Sequence, residues 1–485
     1  MKSQSTIGIF DQSTDIGKVK LKGSAVYNHV TGQYDLTGAG YNMWEDSDQF
    51  HFLYKKVSGD FALYTSIKWI TKGVAAHRKA GLIIRESLDP GSPYVSAAFH
   101  GDGLVAMQFR LDKDSSTKEI RASSGFLTVL QLERTGDSII MYACDTAHPL
   151  QKTGRIIMKF KQSDLYVGLF VCSHDVDVLE EAAFINTRLS FTAQANFTPY
   201  KDYIGARLEI LDIDNSLRKI LYESEVPFEA PNWSRDGRYL VVNSRGRLYR
   251  LQIEDDELEL INTDFANTNN NDHGFSPDGR LLAISHSPKD RPIEHSLIYT
   301  VPATGGIPKQ ITAISPAYWH GWSPDGKYLV YTANRNNHLN IYRIPALGGD
   351  EIPLTDNEFL DDGPDYSTDG NYIWFNSNRT GTMEIWRMKS DGSEQIQITN
   401  DEYQNWFPHQ SPDGKLLVFL SYLPEVSLWE HPFYKHVMIR VMKSDGSGLR
   451  VLAHLYGGQG TINVPSWSPD SKMIAFVSNS DKIAG

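Results

Sequence analysis

The chain has 485 residues, 40% hydrophobic and 22% charged, about three times the usual domain length, so two domains or one long repeat array are expected. Its formal net charge of -12 argues against nucleic acid, which requires a basic stripe to displace counterions. There is no apolar run of about 18 residues to insert into a membrane, and the two cysteines, Cys144 and Cys172, belong to no C-x-x-C pair, which excludes a thiolate metal cluster or a disulfide framework.

The N-terminus "MKSQSTIGIF" lacks the apolar core of a secretory leader. It points to the cytoplasm, although an exported, periplasmic protein whose leader had been removed would read the same. Over residues 1–195 the strands "GDFALYTSIKWI", "KAGLIIRES", "YVSAAFHG", "LVAMQFRL", "SIIMYACD", "LYVGLFVC" and "AFINTRLSF" alternate apolar and polar residues between Gly, Asp and Pro turns. Many short strands without a helical period predict a β-sandwich. Both cysteines lie in apolar strands and are expected to be buried free thiols. The groups "AAHRKAG" (His77, Arg78, Lys79), His100 and "SHDVD" (His174, Asp175, Asp177) form either a second polar cluster or a solvated surface. Residues 196–202 read as a linker.

From about residue 203 the chain repeats itself. The copies "NWSRDGRYLVV", "GFSPDGRLLAI", "GWSPDGKYLVY", "DYSTDGNYIWF", "HQSPDGKLLVF" and "SWSPDSKMIAF" carry turn aspartates at Asp236, Asp278, Asp325, Asp369, Asp413 and Asp470, spaced 42, 47, 44, 44 and 57 residues apart. A period in the forties with a turn dipeptide between apolar strands reads as propeller blades. Gly serves these turns because it tolerates positive φ, and Asp because it bonds its own backbone. Six turns mean six blades over residues 203–485, so the expected fold is all-β, a sandwich followed by a six-bladed β-propeller. The last copy has only two strands. The strand-turn-strand "ARLEILDIDNSLRKILYES" must supply the rest and close the ring, leaving no open sheet edge.

The repeats "WSPDGKYLVYTANRNNHLNIYRIPALGG" and "YSTDGNYIWFNSNRTGTMEIWRMKSDGSEQIQIT" resemble those of TolB-type β-propeller proteins, a repeat that also serves peptidase accessory domains and polysaccharide lyases. The run "KAGLIIRESLDPGSPYVSAAFHGDG" with "LERTGDSIIMYAC" resembles concanavalin- or laminin-G-like jelly rolls that accompany carbohydrate-active domains. Oligogalacturonate lyases, similar in their propeller repeats though with more blades, imply a His-rich metal site whose ion neutralises a substrate carboxylate.

The fifth residue before each turn aspartate directs attention to histidine. That position holds Pro231, His273, His320, Pro364, Pro408 and Pro465, and His409 follows the fifth of them. Losing a proline gives up about 0.4–1 kcal/mol of unfolded-state restriction, so a gain elsewhere is expected. The three imidazoles fall at starts of first strands, beside the central channel. His286, His295, His338, His431 and His436 fall in loops returning to the same face, with His454 before the last blade. Candidate catalytic residues are His273, His320, His409, Asp362 and Asp365. The three histidines are also candidate ligands of a divalent Mn, Zn or Ni ion, with an all-oxygen Ca site less suited. Asn405, Trp406, Gln459, Asn463, Trp429 and His436 are candidate substrate contacts. Trp429, Phe433 and Tyr434, in the insertion that lengthens blade five, either stack on a sugar or plug the next blade. Arg335 and Arg379 read as structural ion pairs. His409 and Gln410 in succession, each costing about 1–3 kcal/mol if buried without partners, predict a water- or ligand-filled pocket.

The sequence contains no serine-nucleophile elbow, phosphate-binding loop, zincin motif or dinucleotide fingerprint. The functional expectation is a carbohydrate-active protein, a glycan lyase or glycoside hydrolase acting on a carbohydrate or glycoside, with neither nucleic acid nor membrane insertion. The alternative is a non-catalytic platform for a glycan or protein. A homo-oligomer stays open.

Overall fold

Antiparallel strand pairing organises the whole chain. The computed structural model describes residues 7–482 apart from 74, 194–195, 199–200, 255–256 and 289–294, and among these there is no α-helix. Two compact units emerge, Met1–Thr192 and Ala193–Ile483; the segment 196–202 lies partly outside the described residues.

The first unit is a sandwich of two seven-stranded sheets. One runs in the order Gln12–Ile16, Phe50–Val57, Leu165–Cys172, Lys79–Arg85, Tyr94–His100, Val105–Arg110, Lys118–Arg121; the other runs Gln151–Ile157, Ser138–Cys144, Val129–Thr135, Phe61–Trp69, Asp175–Ser190, Gln33–Gly40, Ser24–Asn28. Leu53, Leu82, Ile84, Leu132 and Phe184 meet in the core between them, each side chain worth about 1.5–3 kcal/mol when fully buried. Ser138–Cys144 shows the two-residue alternation expected of a one-sided strand, but every residue of Lys79–Arg85 and Tyr94–His100 is buried. Their outer face is covered by the segment around Asp48, whose carboxylate holds Arg85 at 2.6 Å and Arg110 at 2.8 Å. Cys144 and Cys172 are buried free thiols.

The second unit is a propeller of six sheets. Blades one to five are four-stranded and run in chain order, with first strands at Glu229–Trp233, Asn269–Phe275, Ala317–Trp322, Asp361–Tyr366 and Gln404–Gln410. Blade six is made from the first and last strands of the propeller unit. Gly205–Asp212 pairs antiparallel with Met473–Ser480, from Gly205↔Ser480 to Asp212↔Met473, and Arg218–Ser224 adds the outer strand. At each turn the serine hydroxyl donates to the aspartate Oδ1 at 2.6–2.8 Å. Five turns place a glycine at positive φ, and the sixth places Ser471 there at 64°.

The first strands differ from expectation in one respect. They begin several residues earlier, so His273, His320 and His409 occupy strand interiors, not strand starts. Each of these strands carries a pairing irregularity, between Glu229 and Asn232, Asn269 and His273, Trp319 and Gly321, Asp362 and Asp365, and Trp406 and His409. Such a bulge re-aims the side chains that follow it. In blades one, four and five the residue before the repeat's proline is left-handed: Ala230 at 58°, Gly363 at 59° and Phe407 at 57°.

Candidate functional site

The propeller holds a cavity of about 700 Å³ on the face where second strands end and first strands begin. Phe228 and Glu229 enter it from blade one, Asn270 and Asn271 from blade two, Gln459 and Gly460 from the approach to blade six. Arg245 reaches it from the turn after the second strand of blade one, and Phe433 and Tyr434 of the blade-five insertion form an aromatic wall. The backbone is drawn in tightly here: Ala230 N–H donates to the Gly460 carbonyl at 2.6 Å. A Cβ on Gly460, whose φ is 86°, would lie 2.5 Å from Glu229 Oε2, so glycine makes room for the carboxyl.

Electrostatics singles out Glu229. Burial, then the like charge of Asp272, pushes its pKa up to about 8, so at neutral pH it is a carboxylic acid able to donate. Asp272 is itself raised to about 6 by burial, against the pull of His320 and with the push of Asp362; it accepts from Asn270 Nδ2 at 2.6 Å and Asn463 Nδ2 at 3.1 Å. Behind it, His320 Nε2 meets Asp362 Oδ1 at 3.2 Å, and His431 Nε2 lies 3.7 Å from Asp362 Oδ2. Burial alone would depress His320, but Asp362 and Asp272 raise it overall; burial likewise opposes ionisation of Asp362, yet His320 brings it down to about 2. Each partner thus favours the charged form of the other. Asn463 Oδ1, His320 Nδ1 and His431 Nδ1 are buried without a hydrogen-bond partner among the described residues.

Residues 314–484 match the family model of the TolB beta propeller domain. An uncharacterized protein of Agrobacterium fabrum (strain C58 / ATCC 33970) is 46% identical over 271 residues, which make up 56% of this chain and 91% of that one. The chain belongs to the TolB-like β-propeller family. A solved structure from Agrobacterium tumefaciens, named for TolB, superposes on the TolB-like propeller with a TM-score of 0.55 and 45% identity, covering 57% of this chain and 99% of that one. The Tol-Pal system protein TolB of Francisella tularensis subsp. mediasiatica is 28% identical over 166 residues, 33% of this chain and 37% of its own.

Within the TolB-like propeller the predicted residues part company. The bulges turn the three histidines toward neighbouring blades, each to different partners. His273, fully buried, lies against the carbonyls of Asn271 (3.1 Å) and Val241 (3.3 Å), and burial lowers its pKa to about 4. His409 pairs with Asp365 at 3.0 Å and with the Ile462 carbonyl at 3.0 Å. Among the described residues no group of three or more His, Cys, Asp or Glu side chains is arranged to hold a metal ion, so the expected imidazole triad does not form. No pocket is needed to satisfy His409 and its neighbour Gln410. Gln410 accepts from Thr368 N–H at 2.9 Å and donates to Gly414 O and Ser444 Oγ, so both polar side chains find partners within the protein.

Trp406 is completely buried in a hydrophobic cluster, its ring 4.7 Å from that of His431. Asn405 is consumed by a buried network: its amide donates to Glu384 at 2.9 Å, and its oxygen accepts from Arg440 at 2.6 Å and Ser421 at 2.8 Å. Neither can meet a ligand. Trp429 is 57% exposed, and His436 packs against Tyr456; neither lines the cavity. Gln459 does, and Asn463 reaches Asp272 behind it. Arg335 and Arg379 are tied to Glu351 and Asp361 at 2.7 Å.

Glu229, Asp272 and Arg245 were missed. A usable signal exists. Seven residues before the turn aspartates Asp236, Asp278, Asp369 and Asp470 stand Glu229, Asn271, Asp362 and Asn463, a polar position repeated just ahead of the bulge.

Proposed function

We propose that the TolB-like propeller binds a carbohydrate or glycoside in the cavity beside Glu229 and cleaves its glycosidic bond. The observation that carries this reading is a carboxyl kept protonated at neutral pH in the wall of a cavity large enough for a small glycan and lined with carboxamides and aromatic rings. Carboxamides exchange hydrogen bonds with sugar hydroxyls, and the Phe433 and Tyr434 rings offer an apolar face. Glu229 hands its proton to the glycosidic oxygen as the C–O bond breaks, and a water adds to the anomeric carbon and returns a proton to Glu229. Arg245 offsets negative charge on an acidic sugar.

A second reading, a non-catalytic platform for a glycan, is favoured by a different observation: Glu229 is the one carboxyl residue among the described residues lining the cavity, where glycosidases use two. A panel of oligosaccharides separates the two. Release of new reducing ends by the wild type, lost at least 100-fold in Glu229→Gln while binding persists, supports hydrolysis. Retention of a glycan with no new ends in either protein supports the platform. If nothing on the panel is bound or cleaved, both readings fall.

A further inference from the structure

The sandwich carries a polar cluster on the outer face of its first sheet, away from its hydrophobic core. The Lys79 ammonium, on a residue 3% exposed, donates to Asn42 Oδ1 at 3.1 Å and to the His77 carbonyl at 3.1 Å. Among the described residues no carboxylate pairs with it. A cation buried against two neutral acceptors with no opposite charge paired to it is a costly arrangement, and burial lowers its pKa accordingly. The neighbouring Arg78 is already committed to Glu180 at 2.6 Å.

Directly across the strands from Lys79 stands His100. Its Nδ1 donates to the Leu104 carbonyl at 3.1 Å, which leaves Nε2 to accept from the Gln108 amide at 3.4 Å; that amide also reaches Glu119 Oε2 at 3.3 Å. The amide is thereby oriented, and the Gln108 carbonyl oxygen, on a residue 1% exposed, has no partner among the described residues. Beside this, His174 sits at a φ of 61° with a buried, unpartnered Nδ1. Its ring meets His77 edge-on at 5.6 Å and stacks at 6.2 Å with Tyr41, itself 65% exposed.

These groups ask for complementary chemistry: an anion for Lys79, a hydroxyl to donate to Gln108 Oε1, and a ring to lie against Tyr41 and His174. We propose that this cluster is a binding site for a small hydroxycarboxylate of the sugar-acid class, its carboxylate on Lys79 and one hydroxyl on Gln108. A neutral sugar lacks the anion, and a simple carboxylate lacks the hydroxyl. The site is independent of the propeller cavity and of the reading given for it.

Titration calorimetry of the full-length protein with D-glucuronate, acetate and D-glucose tests this. Glucuronate is expected to bind at least tenfold more tightly than either control. Lys79→Met and Gln108→Leu are each expected to weaken it at least tenfold, with Lys113→Met, whose ammonium pairs with Asp89 on the surface of the same unit, unchanged. No heat with glucuronate, equal affinity for all three compounds, or undiminished binding in Lys79→Met overturns the proposal. Should Lys79→Met fail to fold, Gln108→Leu and His174→Ala decide, and undiminished binding by both overturns it.

Discussion

At Glu229 the wall of the cavity stores a measurable free energy. An acid whose pKa rises from about 4.5 in the unfolded chain to about 8 in the native protein binds more protons when folded, so stability falls as pH climbs through that window. Below about 4.5 both states are protonated and the penalty vanishes. Glu229→Gln should therefore melt like the wild type at pH 4 and be more stable at pH 8 by about 1–3 kcal/mol, read from thermal or urea melts at the two pH values. Any cleavage that depends on Glu229 as a proton donor should decline as pH rises through about 8. Gly460 is the companion case. Gly460→Ala puts a methyl group against the Glu229 carboxyl at a φ suited to glycine and should cost about 1–3 kcal/mol, with glycan cleavage or retention reduced tenfold or more. An unchanged melt and activity would show that Glu229 moves aside freely. The sequence pointed to the face that holds the cavity, but the imidazoles it singled out do not line that cavity. His409 and His273 share an offset from a turn, yet their direction depends on a bulge, and a bulge is a property of two paired strands that no single segment records.

Elements defined by local chemistry were far easier to read. Each Ser-x-Asp-Gly turn satisfies its own backbone within a few residues, so its signature survives in the sequence, as do the apolar second strands that follow. The exception, Ser471, shows how such an element tolerates a poor residue: its Oγ accepts from the Asp413 N–H at 3.0 Å, tying the last turn to that of blade five. Ser471→Gly should be close to neutral, since strain relief of about 0.5–1 kcal/mol offsets the loss of that bond. Ser471→Ala keeps the strain, loses the bond and should be about 1 kcal/mol less stable than Ser471→Gly in urea melts. The sandwich shows the opposite situation. Ser24–Asn28 alternates exposed and half-buried residues, and its apolar content is too thin to mark it as a strand; only pairing with Gln33–Gly40 makes it one. Seven strands were visible in a domain that has fourteen among its described residues.

On the scale of the molecule, the closing sheet was legible because a repeat that ends short has to borrow strands; two are borrowed, but of the last copy only Met473–Ser480 joins the sheet, which has three strands among the described residues. The seam is locked by a buried charge cluster: Arg218 grips Glu209 through two nitrogens at 2.6 and 3.1 Å, and Ser478 donates to the same carboxylate at 2.6 Å. Glu209→Ala removes the carboxylate that neutralises the buried Arg218 guanidinium and should cost about 3–5 kcal/mol, and removal of residues 203–224 should abolish the cooperative propeller transition altogether. A deletion that melts like the intact protein would mean that the ring does not depend on this seam.

That seam also sets a clock on biosynthesis. Glu209 and Ser478 are 269 residues apart, which at about 5–20 residues per second is roughly 13–54 s of translation. Throughout that interval the strand Gly205–Asp212 has been made and its partner has not, so a nascent chain displays an unpaired edge that another chain can capture. The price of a ring closed by its own ends is a long wait in which the ribosome, not the fold, decides when the edge is covered.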